Sequence, residues 1–131
     1  MMVKPIRDGF HSVTPYLVIR GVGQLIKFLQ QAFEAHEVHR KTRSDGTITH
    51  AQVRIGDSMV MMGEARGEFK FTPGMIYLYV SNADATYQRA LKAGAVSLRK
   101  PVDEPSYGDR VGGVKDPTGN QWWIATPLER L

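Results

Sequence analysis

The chain contains no cysteine among its 131 residues. This absence excludes disulfide bridges, thiolate metal sites and cysteine nucleophiles. The sequence also lacks an apolar run of about 18 residues, the length needed to cross a bilayer, and its first residues lack the apolar stretch of a signal peptide. We therefore expect no membrane association and a cytoplasmic location.

Charge of neither sign dominates the sequence. Seventeen Lys and Arg against thirteen Asp and Glu give a net charge of +4. The basic residues are scattered along the chain instead of forming a stripe, so we expect no nucleic-acid partner. The small positive excess favours neutral or anionic small ligands over cationic ones.

Hydrophobic periodicity predicts the same order of elements in each half of the chain. In the first half, alternating residues predict a strand over 14–19, and an apolar stripe at helical spacing predicts a helix over 24–33. Strands are predicted to follow over 37–43, 49–55 and 59–62, the first two forming a hairpin around Asp45-Gly46.

The second half repeats this pattern, with Tyr77-Leu78 lying 61 residues after Tyr16-Leu17. We predict a strand over 75–80, a helix over 82–93 capped by Asn82, and strands over 96–99, 110–115 and 121–125, with a loop bounded by Pro101 and Pro105. The expected fold is one α+β domain over residues 1–131, with module one at about 10–65 and module two at about 73–127.

Four segments carry a resemblance to a known family: Thr14-Pro-Tyr-Leu, His50-Ala-Gln-Val-Arg-Ile-Gly-Asp-Ser, Tyr107-Gly-Asp-Arg, and Asp116-Pro-Thr-Gly-Asn-Gln-Trp-Trp. With them the chain resembles the vicinal oxygen chelate superfamily, the glyoxalase, bleomycin-resistance and extradiol dioxygenase group, and within it the branch called PhnB-like. The resemblance implies two βαβββ modules forming a curled mixed sheet around a cavity, usually in a homodimer. The Asp116 segment also suits a hairpin turn and carries no chemistry by itself.

Metal-dependent members of this superfamily place four ligands, commonly His and Glu, on the first and fourth strands of each module. The matching positions in this chain hold Thr14, Met61, Met75 and Trp123. A hydroxyl, two thioethers and an indole do not supply the imidazole or carboxylate donors that such a cation needs. We therefore expect neither a metal nor another cofactor.

Strand alternation predicts which side chains face the cavity. The cavity-facing set contains aromatics, methionines and a few hydrogen-bonding groups: Thr14, Tyr16, Val18, His50, Gln52, Arg54, Met59, Met61, Met75, Tyr77, Tyr79, Gln121 and Trp123. Apolar walls with few polar groups suit a small organic ligand. The candidate ligand-binding residues are Tyr16, His50, Gln52, Arg54, Met61, Tyr77, Tyr79, Tyr107, Arg110 and Trp123. The alternative is that these side chains only fill the barrel or a dimer interface.

Two of these candidates have chemistry of their own. His50 is a weak catalytic candidate, as a general base. Arg110 offers a planar fork of donors to an anionic group, or it pairs with Asp103, Glu104 or Asp109 and holds a loop.

The leading hypothesis is a metal-free protein of this superfamily that sequesters or senses a small molecule. The alternatives are a glyoxalase-like lyase or isomerase, or a related enzyme, with a non-standard site, and a structural or partner-binding dimer.

Overall fold

The computed structural model describes residues 3–129. The order strand, helix, strand, strand, strand occurs twice, as the periodicity predicts. The first set is β1 (Tyr16–Ile19), α1 (Val22–Phe33), β2 (His36–Thr42), β3 (Ile48–Ile55) and β4 (Ser58–Glu64). The second set is β5 (Met75–Tyr79), α2 (Ala83–Lys92), β6 (Val96–Glu104), β7 (Asp109–Lys115) and β8 (Gln121–Pro127).

The strands form two mixed sheets of four, in the orders β1-β4-β3-β2 and β5-β8-β7-β6. In each sheet the first strand runs parallel to the last, and the other pairs are antiparallel. Tyr16 pairs with Met61 in the first sheet, and Tyr77 pairs with Trp123 at the matching place in the second. The α+β fold is thus confirmed, and the two sheets are separate and not closed into a barrel.

The main core lies where the helices pack against each other and against one face of each sheet. Phe33 at the end of α1 reaches the second sheet, where its ring centroid lies 5.1 Å from that of Trp122. The helix-facing residues of the strands alternate as predicted, and Ile19, Val53 and Ile124 are fully buried there. Neither helix in the described part of the chain is long and apolar enough to cross a membrane.

The helix N-termini are capped in two ways. Asn82 caps α2 as predicted, because its side chain accepts from the backbone N–H of Ala85 at 3.0 Å. Helix α1 begins at Val22, two residues before the predicted start. Gly21 has no side chain to cap it, and the carboxylate of Glu64 on β4 instead accepts from the N–H groups of Gly21 and Val22 at 3.0–3.1 Å.

The prediction of a loop after residue 99 is wrong. Strand β6 continues through Pro101 to Glu104. Pro101 is tolerated because β6 is an edge strand and its pairing with β7 skips from Arg99 to Val102. A proline at such an irregularity removes no ladder hydrogen bond.

The turn before β8 is held by one buried carboxylate. Asp116 accepts from the backbone N–H and hydroxyl of Thr118, at 2.7 and 2.8 Å, from the Asn120 amide at 3.0 Å and from the Trp122 indole at 2.7 Å. Asn120 in turn accepts from the N–H of Gly74, just before β5. The segment is therefore an architectural device, in agreement with its interpretation as a turn.

Candidate functional site

Each sheet has one face turned away from the helices, and most of the predicted ligand-binding residues lie there. The first open face consists of the outward residues of β1 to β4, and the second open face of those of β5 to β8. Tyr16, Tyr77 and Tyr79 on these faces remain 44–59% exposed. Large exposed aromatic side chains on a sheet face indicate a surface that contacts something else.

The first open face holds a hydrogen-bonded cluster of Tyr16, His50 and Gln52. The Gln52 amide nitrogen donates to Nε2 of His50 at 3.2 Å, so Nδ1 carries the ring hydrogen and donates to the Tyr16 hydroxyl oxygen at 3.1 Å. The tyrosine ring lies over Gly63, where a Cβ would be only 2.7 Å from that oxygen. The hydroxyl hydrogen of Tyr16 is then left to donate outward.

His50 is surrounded by other basic groups. Burial, with His39 and Lys41 nearby, lowers the pKa of His50 below the usual histidine value, which favours the neutral ring. Both ring nitrogens are engaged, so a role as general base would require breaking one of the two hydrogen bonds.

The second open face is an aromatic surface in which an indole lies against a glycine. Register places Tyr77, Trp123, Gly113 and Arg99 in one row across the four strands. The Trp123 ring lies against the backbone of Gly113, because a Cβ there would be 2.6 Å from the ring. A glycine on β7 therefore makes room for the indole.

Two tyrosines of this face converge on one carboxylate. Tyr77 and Tyr79 donate to Oδ2 of Asp109 at 2.7 and 2.9 Å, and their ring centroids are 5.3 Å apart. The side chains cross β8 to reach β7, and Ala125, the small residue paired with Tyr79 on β8, is fully buried. Burial and the Asp109 hydrogen bond raise the pKa of the Tyr77 hydroxyl well above its usual value, so it stays protonated.

Two hollows follow from this arrangement. The second open face has a hollow of about 350 Å³ lined by Met75, Tyr77, Arg99, Tyr107, Val111 and Trp123. A hollow of about 200 Å³ on the first face includes Tyr16 and His50. The sequence predicted one cavity lined by both modules, whereas within one chain the residues lie on two separate faces.

The other predicted residues are placed as follows. Met61 lies between Tyr16 and Gln52 in the register of the first sheet, and Arg54 is exposed on β3 beside Met59. Tyr107 is 68% exposed at the rim of the second hollow.

Arg110 is the exception, because it faces away from both hollows. Its guanidinium donates to both oxygens of Asp84 on α2, at 2.7 and 3.0 Å, and to Asp103 at 3.1 Å. These carboxylates hold the group on the helix side of the sheet. Arg110 thus pairs with Asp103, one of the three acidic neighbours expected from the sequence, and with Asp84, which was not among them.

Sequence reasoning assigned no binding role to Asp109. It stands in the Tyr107-Gly-Asp-Arg segment, in which the sequence predicts Tyr107 and Arg110 as binding residues. The available signal was strand alternation, which places Asp109 and Val111 on one face of β7 and Arg110 on the other.

The residues at the superfamily's ligand positions do not fit a metal. Met61 pairs with Tyr16 in the register of the first sheet, and Trp123 pairs with Tyr77 in that of the second. The Thr14 hydroxyl donates to the backbone carbonyl of His11 at 3.1 Å. Within residues 3–129, no three His, Asp or Glu side chains come together in a group able to hold a metal ion.

Comparison with known proteins supports the same fold. The model of the Glyoxalase/Bleomycin resistance protein/Dioxygenase superfamily matches residues 9–124. An uncharacterized protein of Mycobacterium tuberculosis H37Rv is 32% identical, over 92% of this chain and 76% of its own length.

Similar crystal structures include TioX from Micromonospora sp. ML1, with 24% identity, a TM-score of 0.74 and coverage of 90% of this chain and 99% of the other. TnmS3, an antibiotic binding protein from Streptomyces sp. CB03234, has 16% identity, a TM-score of 0.71 and coverage of 95% and 99%. The fosfomycin resistance protein FosX from Mesorhizobium loti has 19% identity, a TM-score of 0.63 and coverage of 97% and 95%.

Proposed function

The chain belongs to the Glyoxalase/Bleomycin resistance protein/Dioxygenase superfamily, and from this premise we propose that it binds a small organic molecule without a metal, sequestering or sensing it in the cytoplasm. The observation that carries the proposal is the second open face. Its hollow combines Tyr77, Trp123 and Met75 with a few polar groups. Aromatic and thioether walls bury a flat or flexible ligand, and polar groups fix its orientation.

Metal independence is part of the proposal because the donor set is unsuited to catalytic cations. Divalent ions that polarise substrates in such sites take imidazole or carboxylate ligands. Here the corresponding positions hold a threonine, two methionines and a tryptophan, namely Thr14, Met61, Met75 and Trp123. The prediction of a metal-free site therefore stands as a proposal that metal analysis can test.

The similar folds agree with a binding role. TnmS3 is described as an antibiotic binding protein and FosX as a fosfomycin resistance protein. At 16% and 19% identity these proteins do not define the ligand of this chain. They support a small organic compound as the class of ligand.

We also propose that two copies assemble so that each open face is covered. In one chain both faces are open, with Met75 67% exposed and Tyr79 59% exposed. Apolar and aromatic side chains this exposed on a sheet face are suited to burial against a second copy. Light scattering on the eluting protein should give a mass twice that of the 14.7 kDa chain. A monomer at micromolar concentration would contradict this arrangement.

A thermal-shift screen tests the binding function. Planar aromatic compounds should raise the melting temperature increasingly with ligand concentration, because a ligand that binds only the folded state stabilises it. Trp123→Ala should abolish the response. Val38→Ala, which removes an exposed apolar side chain from β2 outside both hollows, should keep it. If no compound shifts the wild-type protein, the proposed function is wrong.

A further inference from the structure

Two tyrosine hydroxyls on the second open face, of which that of Tyr77 lines the hollow, donate their hydrogens in the same direction. A phenol has one hydrogen to donate and two lone pairs to accept with. Tyr77 and Tyr79 both give their hydrogens to the same oxygen of Asp109, at 2.7 and 2.9 Å. Each hydroxyl can therefore only accept a hydrogen bond from a ligand and has no hydrogen left to donate.

The indole N–H of Trp123, which also lines the hollow, is already engaged. The indole N–H of Trp123 donates to the side-chain oxygen of Gln121 at 3.3 Å. Two other lining residues carry donors away from Tyr77 along the row of strands: the Arg99 guanidinium, one nitrogen of which donates to Glu104, and the exposed Tyr107 hydroxyl.

The first open face has the opposite polarity. There His50 donates to the Tyr16 oxygen, which leaves the Tyr16 hydrogen directed outward. The two modules have matching tyrosines at Tyr16 and Tyr77, but their partners differ, a histidine in one and a carboxylate in the other.

We propose that the second hollow selects flat aromatic ligands that carry an N–H or O–H donor on the edge facing the Tyr77 hydroxyl. The inference rests on the proposed function and names the ligand class of the same site. A ligand acceptor placed there would meet two lone pairs that cannot be turned away without breaking a hydrogen bond to Asp109. A buried polar group without a partner is costly, so such a ligand is disfavoured. The net charge of +4 favours neutral or anionic ligands over the whole surface. The preference for a hydrogen-bond donor applies only to the ligand edge beside Tyr77.

Carbazole and dibenzofuran test the inference, because they share size and planarity and differ in carrying an N–H donor or an oxygen acceptor. Their dissociation constants can be measured by quenching of tryptophan fluorescence. We expect carbazole to bind about five- to tenfold more tightly, the value of one good hydrogen bond.

Variants locate the preference. The double variant Tyr77→Phe with Tyr79→Phe keeps both rings and should reduce the ratio to about one. Asp109→Ala frees the hydroxyl hydrogens to donate and should reduce or reverse the ratio. Tyr87→Phe is the matched control, because its hydroxyl bonds Ser97 on the helix side and its loss should leave the ratio unchanged.

The outcomes separate the two proposals. Equal binding of both compounds to the wild-type protein, or tighter binding of dibenzofuran, overturns the donor selection while the binding function stands. A ratio that survives in the double variant also overturns it. If neither compound binds the wild-type protein, this inference is overturned, and the thermal-shift screen decides whether the binding function fails with it.

Discussion

Two adjacent glycines of β7 should respond differently to the same substitution. A Cβ at Gly113 would lie 2.6–2.8 Å from three ring atoms of Trp123, and a Cβ at Gly112 would lie 2.9 Å from the backbone nitrogen of Pro101. Both distances are too short, so something must move in each case. The partly exposed indole can swing outward, whereas the close atom of Pro101 is a backbone nitrogen within β6.

The expected costs follow from what must move. Overpacking typically costs about 1–3 kcal/mol. We expect Gly113→Ala near the lower end, about 1 kcal/mol, and Gly112→Ala near the upper end, about 3 kcal/mol. The effect on ligand binding should be larger for Gly113→Ala than for Gly112→Ala, the reverse of the effect on stability. Displacing the ring should weaken carbazole binding about three- to tenfold in Gly113→Ala, since aromatic pairing is worth about 0.5–1.5 kcal/mol, and Gly112→Ala should bind normally.

Urea denaturation followed by circular dichroism measures the free energies of unfolding, and fluorescence quenching measures the binding. The reasoning is refuted if Gly113→Ala is as destabilising as Gly112→Ala, or if it binds carbazole like the wild-type protein.

Three further predictions concern the charged groups. Asp116→Ala should lower the free energy of unfolding by about 3–5 kcal/mol in urea titrations, because it leaves Trp122 and other buried donors without an acceptor. Since the pKa of His50 is lowered in the folded chain, stability should fall as the pH drops below about 6.5, and His50→Gln should lessen that fall in acid melting curves. Arg110→Ala should lower the free energy of unfolding only slightly, because its ion pairs are solvent-exposed, and high salt should reduce the difference between variant and wild type in urea titrations.

Local patterns predicted much of the fold. The repeat of Tyr16-Leu17 by Tyr77-Leu78, the helix stripes and the Asn82 cap depend on residues near each other in sequence, and the structure confirms them. Alternation along the strands also separated the buried face from the open face. The PhnB-like branch stays a prediction.

Contacts between distant segments were not predictable in the same way. Glu64 caps α1 from another element, and Pro101 continues a strand because β6 lies at an edge. The division of one expected cavity into two faces depends on how the modules pack, which periodicity within a strand does not determine. The role of Asp109 required knowing that Tyr77 reaches across a neighbouring strand.

The two tryptophans allow the most direct test of the central claim. Trp122 is buried in the core, and Trp123 lines the second hollow. In chelator-treated protein with nitrogen-15-labelled indoles, titration with carbazole should shift the Trp123 resonance saturably and leave that of Trp122 in place. If the Trp123 resonance does not move with carbazole or other planar aromatic compounds, or moves only after a divalent metal is added, metal-free binding at this face is contradicted.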